Sequence, residues 1–136
     1  MEMWFSEFHT PDVKHSIRVD RHLYSKQSDY QRIDIFETPE FGRVLTLDGN
    51  EMLTERDEFI YDEMITHVPM AVHPGIKDIL VIGAGDGGVV RELTRYDRVE
   101  CIDLVEMDPQ VVEACRTYLP SNACRMDDRR GHIHFE

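Results

Sequence analysis

The 136-residue sequence predicts an α/β chain in which a small N-terminal antiparallel β-domain precedes the first part of a parallel sheet of the nucleotide-binding kind. Three observations predict it. Residues 14–54 read as short alternating segments separated by Pro and Gly turns. The apolar run Ile79-Leu80-Val81-Ile82 leads directly into Gly83-Ala84-Gly85-Asp86-Gly87-Gly88. Beyond that turn, helix and strand patterns alternate, as a βαβ unit requires. Division into domains 1–54 and 55–136 follows from the change of pattern.

Within the first domain, Ile33-Asp34-Ile35-Phe36-Glu37 alternates with a period of two, and Thr38-Pro39-Glu40-Phe41-Gly42 supplies a turn. Arg43-Val44-Leu45-Thr46-Leu47 resumes an extended segment. Asp48-Gly49 is a two-residue hairpin signal, so residues 51–54 return antiparallel. From Asp57 to Val68 the period changes: Ile60, Met64 and Val68 recur every four residues beside Tyr61 and Ile65, which predicts a helix that Pro69 kinks or ends.

In the second domain, the run 79–82 suits a strand buried on both faces of a parallel sheet. Val89, Val90 and Leu93 predict a helix, residues 99–105 a second strand, and Val111, Cys115 and Tyr118 a second helix stopping near Pro120. Residues 132–135 open a third strand.

Composition narrows the function classes. With 27 Asp and Glu against 15 Lys and Arg, the net charge is −12, and no basic cluster exists to neutralise a phosphate backbone. A cationic small molecule suits this balance better than nucleic acid. Three cysteines without C-x-x-C spacing point to reduced thiols, and the first residues lack the basic start and apolar run of a secretion signal, so a cytoplasmic protein is expected. His132 and His134 fall on one strand face but lack a third ligand at a convincing spacing, and no metal site is expected.

The glycine turn carries the chemistry. Glycines between an apolar strand and a helix let a ligand approach the backbone closely, so Gly83 and Gly85 are candidate nucleoside contacts. Glu106 ends the next strand at roughly the 20-residue spacing at which an acid meets ribose hydroxyls. Its alternative role is an acid at a helix start, but Asp108 before Pro109 already fills it. Asp86 would repel a phosphate and suits a ligand with a positive centre, a sulfonium nucleoside or an amine; it is also placed to cap the following helix. Seven acids between Asp48 and Glu63, against Arg56 alone, form either a solvated helix face or a recognition surface for ammonium groups beside Tyr61 and Asp62.

Taken together, Gln31, Ile33-Asp34-Ile35-Phe36-Glu37, Phe41-Gly42-Arg43-Val44-Leu45, Leu47-Asp48-Gly49, Thr54-Glu55-Arg56-Asp57-Glu58-Phe59-Ile60-Tyr61, Glu63-Met64, His67-Val68-Pro69, the glycine turn and Val105-Glu106-Met107-Asp108 resemble the spermidine synthases, the polyamine aminopropyltransferase family. The resemblance implies a Rossmann-like, methyltransferase-type second domain, incomplete here, and transfer of an aminopropyl group from decarboxylated S-adenosylmethionine to putrescine. It implies that Gln31, Gly83, Gly85 and Glu106 serve the nucleoside, and that Tyr61, Asp62 and Asp86 serve the amine. Asp62 stands where many family members carry His.

By the same resemblance, no cofactor beyond the nucleoside co-substrate is expected. The chain reads as an N-terminal half, inactive alone, whose catalytic base belongs to a missing C-terminal half. Its expected partners are the two substrates and either further copies of itself or a separate C-terminal half. Two other readings share parts of the pattern: a non-catalytic nucleoside-binding or oligomerisation module, and a methyltransferase using ordinary S-adenosylmethionine.

Overall fold

A computed structural model describes residues 1–136, which divide into two compact units, Met1–Asp57 and Glu58–Glu136. The first unit is all β. Strands β1 (Met3–Thr10) and β2 (Val13–Val19) form an antiparallel hairpin with a register shift between Phe8 and Thr10. Strands β3 (Arg21–Gln27), β4 (Arg32–Thr38), β5 (Gly42–Leu47) and β6 (Asn50–Thr54) follow as an antiparallel meander in chain order. Ile33 pairs with Leu47 and Ile35 with Leu45, and both isoleucines are fully buried, so the alternation read in the sequence sets the register. Asp48 and Gly49 both adopt positive φ, 50° and 78°, the two left-handed residues a tight hairpin between β5 and β6 needs.

Strand β1 is an addition to the sequence reading, which begins its extended segments at residue 14, within one residue of the start of β2. Trp4 and Phe8 are exposed while Phe5 and Ser6 are half-buried, so β1 has no clean period of two to reveal it.

The second unit begins with helix α1 (Glu58–Val72) and continues through β7 (Asp78–Ile82), α2 (Gly88–Leu93), β8 (Cys101–Glu106), α3 (Pro109–Tyr118), the short α4 (Pro120–Ala123) and β9 (Gly131–Phe135). The strands are parallel in the order β7-β8-β9. Ile102 and Leu104 of β8, Val90 and Leu93 of α2, and Val112 of α3 build the core. Asp108 caps α3, its side chain accepting the Gln110 N–H at 3.0 Å, and Pro109 occupies the first turn where no donor is needed.

Three expectations are corrected. Helix α1 does not stop at Pro69 but runs to Val72. Pro69 removes its own N–H and crowds the carbonyl four residues back, yet the last turn closes with His73 N–H on the Pro69 carbonyl at 2.9 Å while Met70 anchors it in the core. The Ile60, Met64 and Val68 stripe is exposed, and the buried face of α1 is instead Asp62, Thr66 and Met70. Strand β7 lies at the sheet edge with one covered face: Ile79 and Val81 pack on the core, whereas Leu80 and Ile82 are 62% and 80% exposed.

Arg130 is one of the side chains that hold the loop between α2 and β8, beside Arg98, which donates to the Met70 carbonyl at 2.8 Å. Arg130 donates to the carbonyls of Thr94 at 2.8 Å and Tyr96 at 3.1 Å, while Asp128 accepts from its Nε at 2.8 Å. That satisfies carbonyl groups which the end of α2 leaves without helical partners.

Candidate functional site

The site is built at the C-terminal end of β7. Gly83, Ala84 and Gly87 all have positive φ, 81°, 63° and 91°, so the chain turns sharply between strand and helix. Gly83 N–H binds the Val105 carbonyl at 2.8 Å, tying the turn to the end of β8. Glu106, the last residue of β8, is 7% exposed and its carboxylate is held twice: Oε2 accepts from Gly85 N–H at 3.1 Å, and Oε1 from Asp108 N–H at 3.0 Å. A Cβ at position 85 would stand 2.8 Å from Glu106 Oε2, so glycine there admits the carboxylate under the turn.

Asp86 accepts the Gly88 N–H at 2.9 Å and the Asn122 side-chain N–H at 3.4 Å. Asp86 stands one residue before the N-cap, Gly87, so the bond from Gly88 is a turn into the first helical residue and not the N-cap expected from the sequence. Both bonds end on Oδ1, which leaves Oδ2 for a ligand.

Asp62 reaches the same turn from α1. Its side chain is buried, and Oδ2 has no hydrogen-bond partner. A Cβ at Gly88 would collide with that oxygen, so the absent side chain is what makes room for it. Burial, a hydrogen bond shared with Glu58 and the charge of Asp86 push the Asp62 carboxyl up to about 8.

Around Asp62 lies a charged network that sequence reasoning missed. Arg91 donates twice to Glu58, at 3.0 and 2.9 Å, and once to Glu92 at 3.0 Å, with Asp62 Oδ2 at 3.9 Å. Burial works to raise Glu58 and Glu92, but the guanidinium hydrogen bonds outweigh it and hold both carboxyls below their usual range. Glu92 also accepts from Arg95 at 2.6 Å and meets His67 at 3.0 Å, and the other ring nitrogen of His67 meets the Tyr96 hydroxyl at 2.7 Å. The one sequence signal was the four-residue spacing of Glu58 and Asp62, which puts both acids on one helix face.

The structure thus brings together Gly83, Gly85, Glu106, Asp86 and Asp62 in the second unit. Tyr61 lies on α1 with an exposed ring, 65% accessible. Gln31 belongs to the first unit, in the turn between β3 and β4, where its backbone is bound to Ser28. His134 pairs with Asp103 at 2.8 Å. An open groove lined by Asp97, Val99, Glu100, Asp128 and Arg130 lies at the opposite, N-terminal end of the strands.

A glycine turn between parallel strand and helix, with a buried acid ending the next strand, defines a Rossmann-like α/β chain, here preceded by an antiparallel β unit. Residues 58–136 match the family model of the spermine/spermidine synthase domain, and residues 3–55 match that of the spermidine synthase tetramerisation domain. The chain belongs to the spermine/spermidine synthase family.

Relatives include the polyamine aminopropyltransferases of Lachnoclostridium phytofermentans and of Clostridium botulinum strain Alaska E43, 60% and 62% identical over all 136 residues. Those residues make up 48% of each relative, so the chain spans about half the length of the curated relatives it matches. The crystal structure of spermidine synthase from Thermotoga maritima superimposes with a TM-score of 0.96 at 48% identity, over 98% of this chain and 47% of that one. A spermidine synthase in complex with the transition-state analogue AdoDATO matches equally well, with 46% of its length covered.

Proposed function

We propose that the chain is the N-terminal part of a polyamine aminopropyltransferase, which transfers an aminopropyl group from decarboxylated S-adenosylmethionine to putrescine and yields spermidine and 5′-methylthioadenosine. The observation that carries this reading is the meeting, at one glycine turn, of a buried acid suited to ribose hydroxyls, Glu106, with two acids suited to ammonium groups, Asp86 and Asp62. That the relatives are polyamine aminopropyltransferases supports it.

In this reading Gly83, Gly85 and Glu106 hold the nucleoside, Tyr61, Asp62 and Asp86 orient the amine, and the family resemblance gives Gln31 a nucleoside role as well. The reaction is an in-line displacement by a neutral amine on the carbon beside a sulfonium, so the site's work is to place two cations and free one nitrogen of its proton. None of these residues is assigned as the proton acceptor; that group belongs to a part of the enzyme outside these 136 residues. The co-substrate is the nucleoside, and no other cofactor is invoked. The match of residues 3–55 to a tetramerisation domain supports assembly with further copies through the first unit. A cytoplasmic location is part of the proposal, and no helix is long and apolar enough to cross a membrane.

The experiment is calorimetry with decarboxylated S-adenosylmethionine and with its carboxylated parent. The acids around the turn should disfavour the parent's extra carboxylate. Equal affinity, or preference for the parent, would favour a methyltransferase over an aminopropyltransferase.

A further inference from the structure

Asp62 is a buried carboxyl without a full set of partners, and the reason lies in how its neighbours are occupied. Three acids surround one base, Arg91 of α2: Glu58 and Asp62 from α1 and Glu92 from α2, while Asp86 of the glycine turn adds its charge beside Asp62. Arg91 is engaged by Glu58, Glu92 and the Ser121 carbonyl, and its distance of 3.9 Å to Asp62 Oδ2 is too long for a hydrogen bond. Burial, the neighbouring carboxyls of Glu58 and Asp86 and the lack of any partner for Oδ2 all disfavour a charged Asp62. With Glu58 held ionised by Arg91, the proton sits on Asp62, whose value near 8 agrees with that placement. Oδ2 remains unpartnered, directed at Gly88 beside Asp86.

We infer that the ammonium group of an amine ligand takes the place of the proton held on Asp62, so that amine binding at the Asp62 and Asp86 pair is coupled to proton release, with Glu58 and Arg91 as the positioning residues that keep Asp62 unpaired until the ligand arrives. The step balances: the neutral carboxyl loses its proton to solvent, the carboxylate pairs with the incoming ammonium, and total charge is conserved. The inference rests on the amine-site reading above and adds to it a specific exchange. A dication gains most, since one ammonium meets Asp86, already charged, and the other meets Asp62 as it ionises. A histidine at this position would not behave so, because protonating it would repel the ligand.

The test is calorimetry of 1,4-diaminobutane binding to the 136-residue chain at pH 7 in phosphate and in Tris, whose ionisation heats differ. Release of about 0.9 of a proton per amine bound is expected from a group near 8. Asp62→Asn should bind more weakly and release none. Glu58→Gln, which frees Arg91 to pair with Asp62, should release less than about half a proton. Should the asparagine variant fail to fold, carboxyl NMR of the unaltered chain gives the same answer, because the Asp62 midpoint should fall to about 6 or below when diamine is added. Binding without proton release, an unchanged release in Asp62→Asn, or an unmoved midpoint with diamine bound would overturn the exchange and leave the amine site standing. Absence of any binding at millimolar diamine would overturn the amine-site reading and the exchange with it.

Discussion

Glu106 and Gly85 are bound to each other across the turn: the buried carboxylate accepts the glycine N–H at 3.1 Å while its second oxygen accepts Asp108 N–H at 3.0 Å. Two backbone donors fix the direction of the remaining lone pairs. Glu106→Gln should weaken nucleoside binding by about 1–3 kcal/mol, the range for hydrogen bonds to a charged group. Calorimetry with decarboxylated S-adenosylmethionine measures the change and circular dichroism checks the fold. An unaltered affinity in a folded variant would reduce Glu106 to a brace for the turn.

Gly85→Ala puts a methyl group 2.8 Å from Glu106 Oε2 and should displace the carboxylate, lowering nucleoside affinity as Glu106→Gln does. Gly83→Ala meets no side chain or backbone within 4 Å but must hold φ at 81°, so beyond any loss of nucleoside affinity it should cost stability, about 1 kcal/mol, which Gly85→Ala does not share through its backbone. Urea denaturation and calorimetry on the pair separate the two effects; equal stability losses would sink the distinction.

Asp62 makes stability fall as pH rises. Its folded-state value near 8 lies above the unfolded value of 3.8, so the folded chain binds the extra proton between them. The contribution is complete below about pH 4 and is lost progressively up to about pH 8. Asp62→Asn, which keeps a donor toward Glu58, should flatten that slope. Urea midpoints at pH 5, 7 and 9 provide the check, and parallel slopes in the two proteins would refute it.

Asp128 works in the opposite sense. Hydrogen bonds from Arg130 hold it down to about 2, below the unfolded 3.8, so its contribution is present above about pH 4 and disappears as pH falls through 2. Arg130→Ala removes this and uncovers carbonyls of the loop before β8, at a cost of about 2 kcal/mol. Chemical denaturation at neutral and acid pH should show the variant losing less than the parent on acidification.

The exposed side chains and free edge of β7 should make the isolated chain self-associate, since an uncovered apolar strand offers both a face and a row of unpaired backbone groups. Ile82→Lys should shift size-exclusion profiles toward monomer. A parent chain that elutes as a clean monomer at high concentration would contradict this.

Legibility followed the periodicity. The β4–β5–β6 meander and its Asp48-Gly49 turn were readable because apolar and polar residues alternate through Ile33, Ile35, Leu45 and Leu47 and the turn residues punctuate them, even though Asp34 and Thr46 on the other face are buried too. The strand, glycine turn and helix around Gly83 were readable because Val89, Val90 and Leu93 all enter the core. The facing of α1 was not. Ile60, Met64 and Val68 have the right spacing, yet Glu58 and Asp62 are drawn inward by Arg91 and by the space above Gly88, and a charge network leaves no apolar period to read. Pro69 misled for a related reason: near a helix end its lost bond and its crowding of the preceding turn are tolerated.

Arg130 gives the second unit a direction in time. Its guanidinium closes on Thr94 and Tyr96, more than thirty positions earlier in the chain. During synthesis the N-terminal part emerges first, so the β meander, whose pairings are between sequence neighbours, can be complete while the loop after α2 still waits, its carbonyls solvated. Only when residue 130 has left the ribosome does that loop lock. A ribosome stalled shortly before Arg130 should therefore display a protease-sensitive segment between α2 and β8 beside an already resistant N-terminal unit.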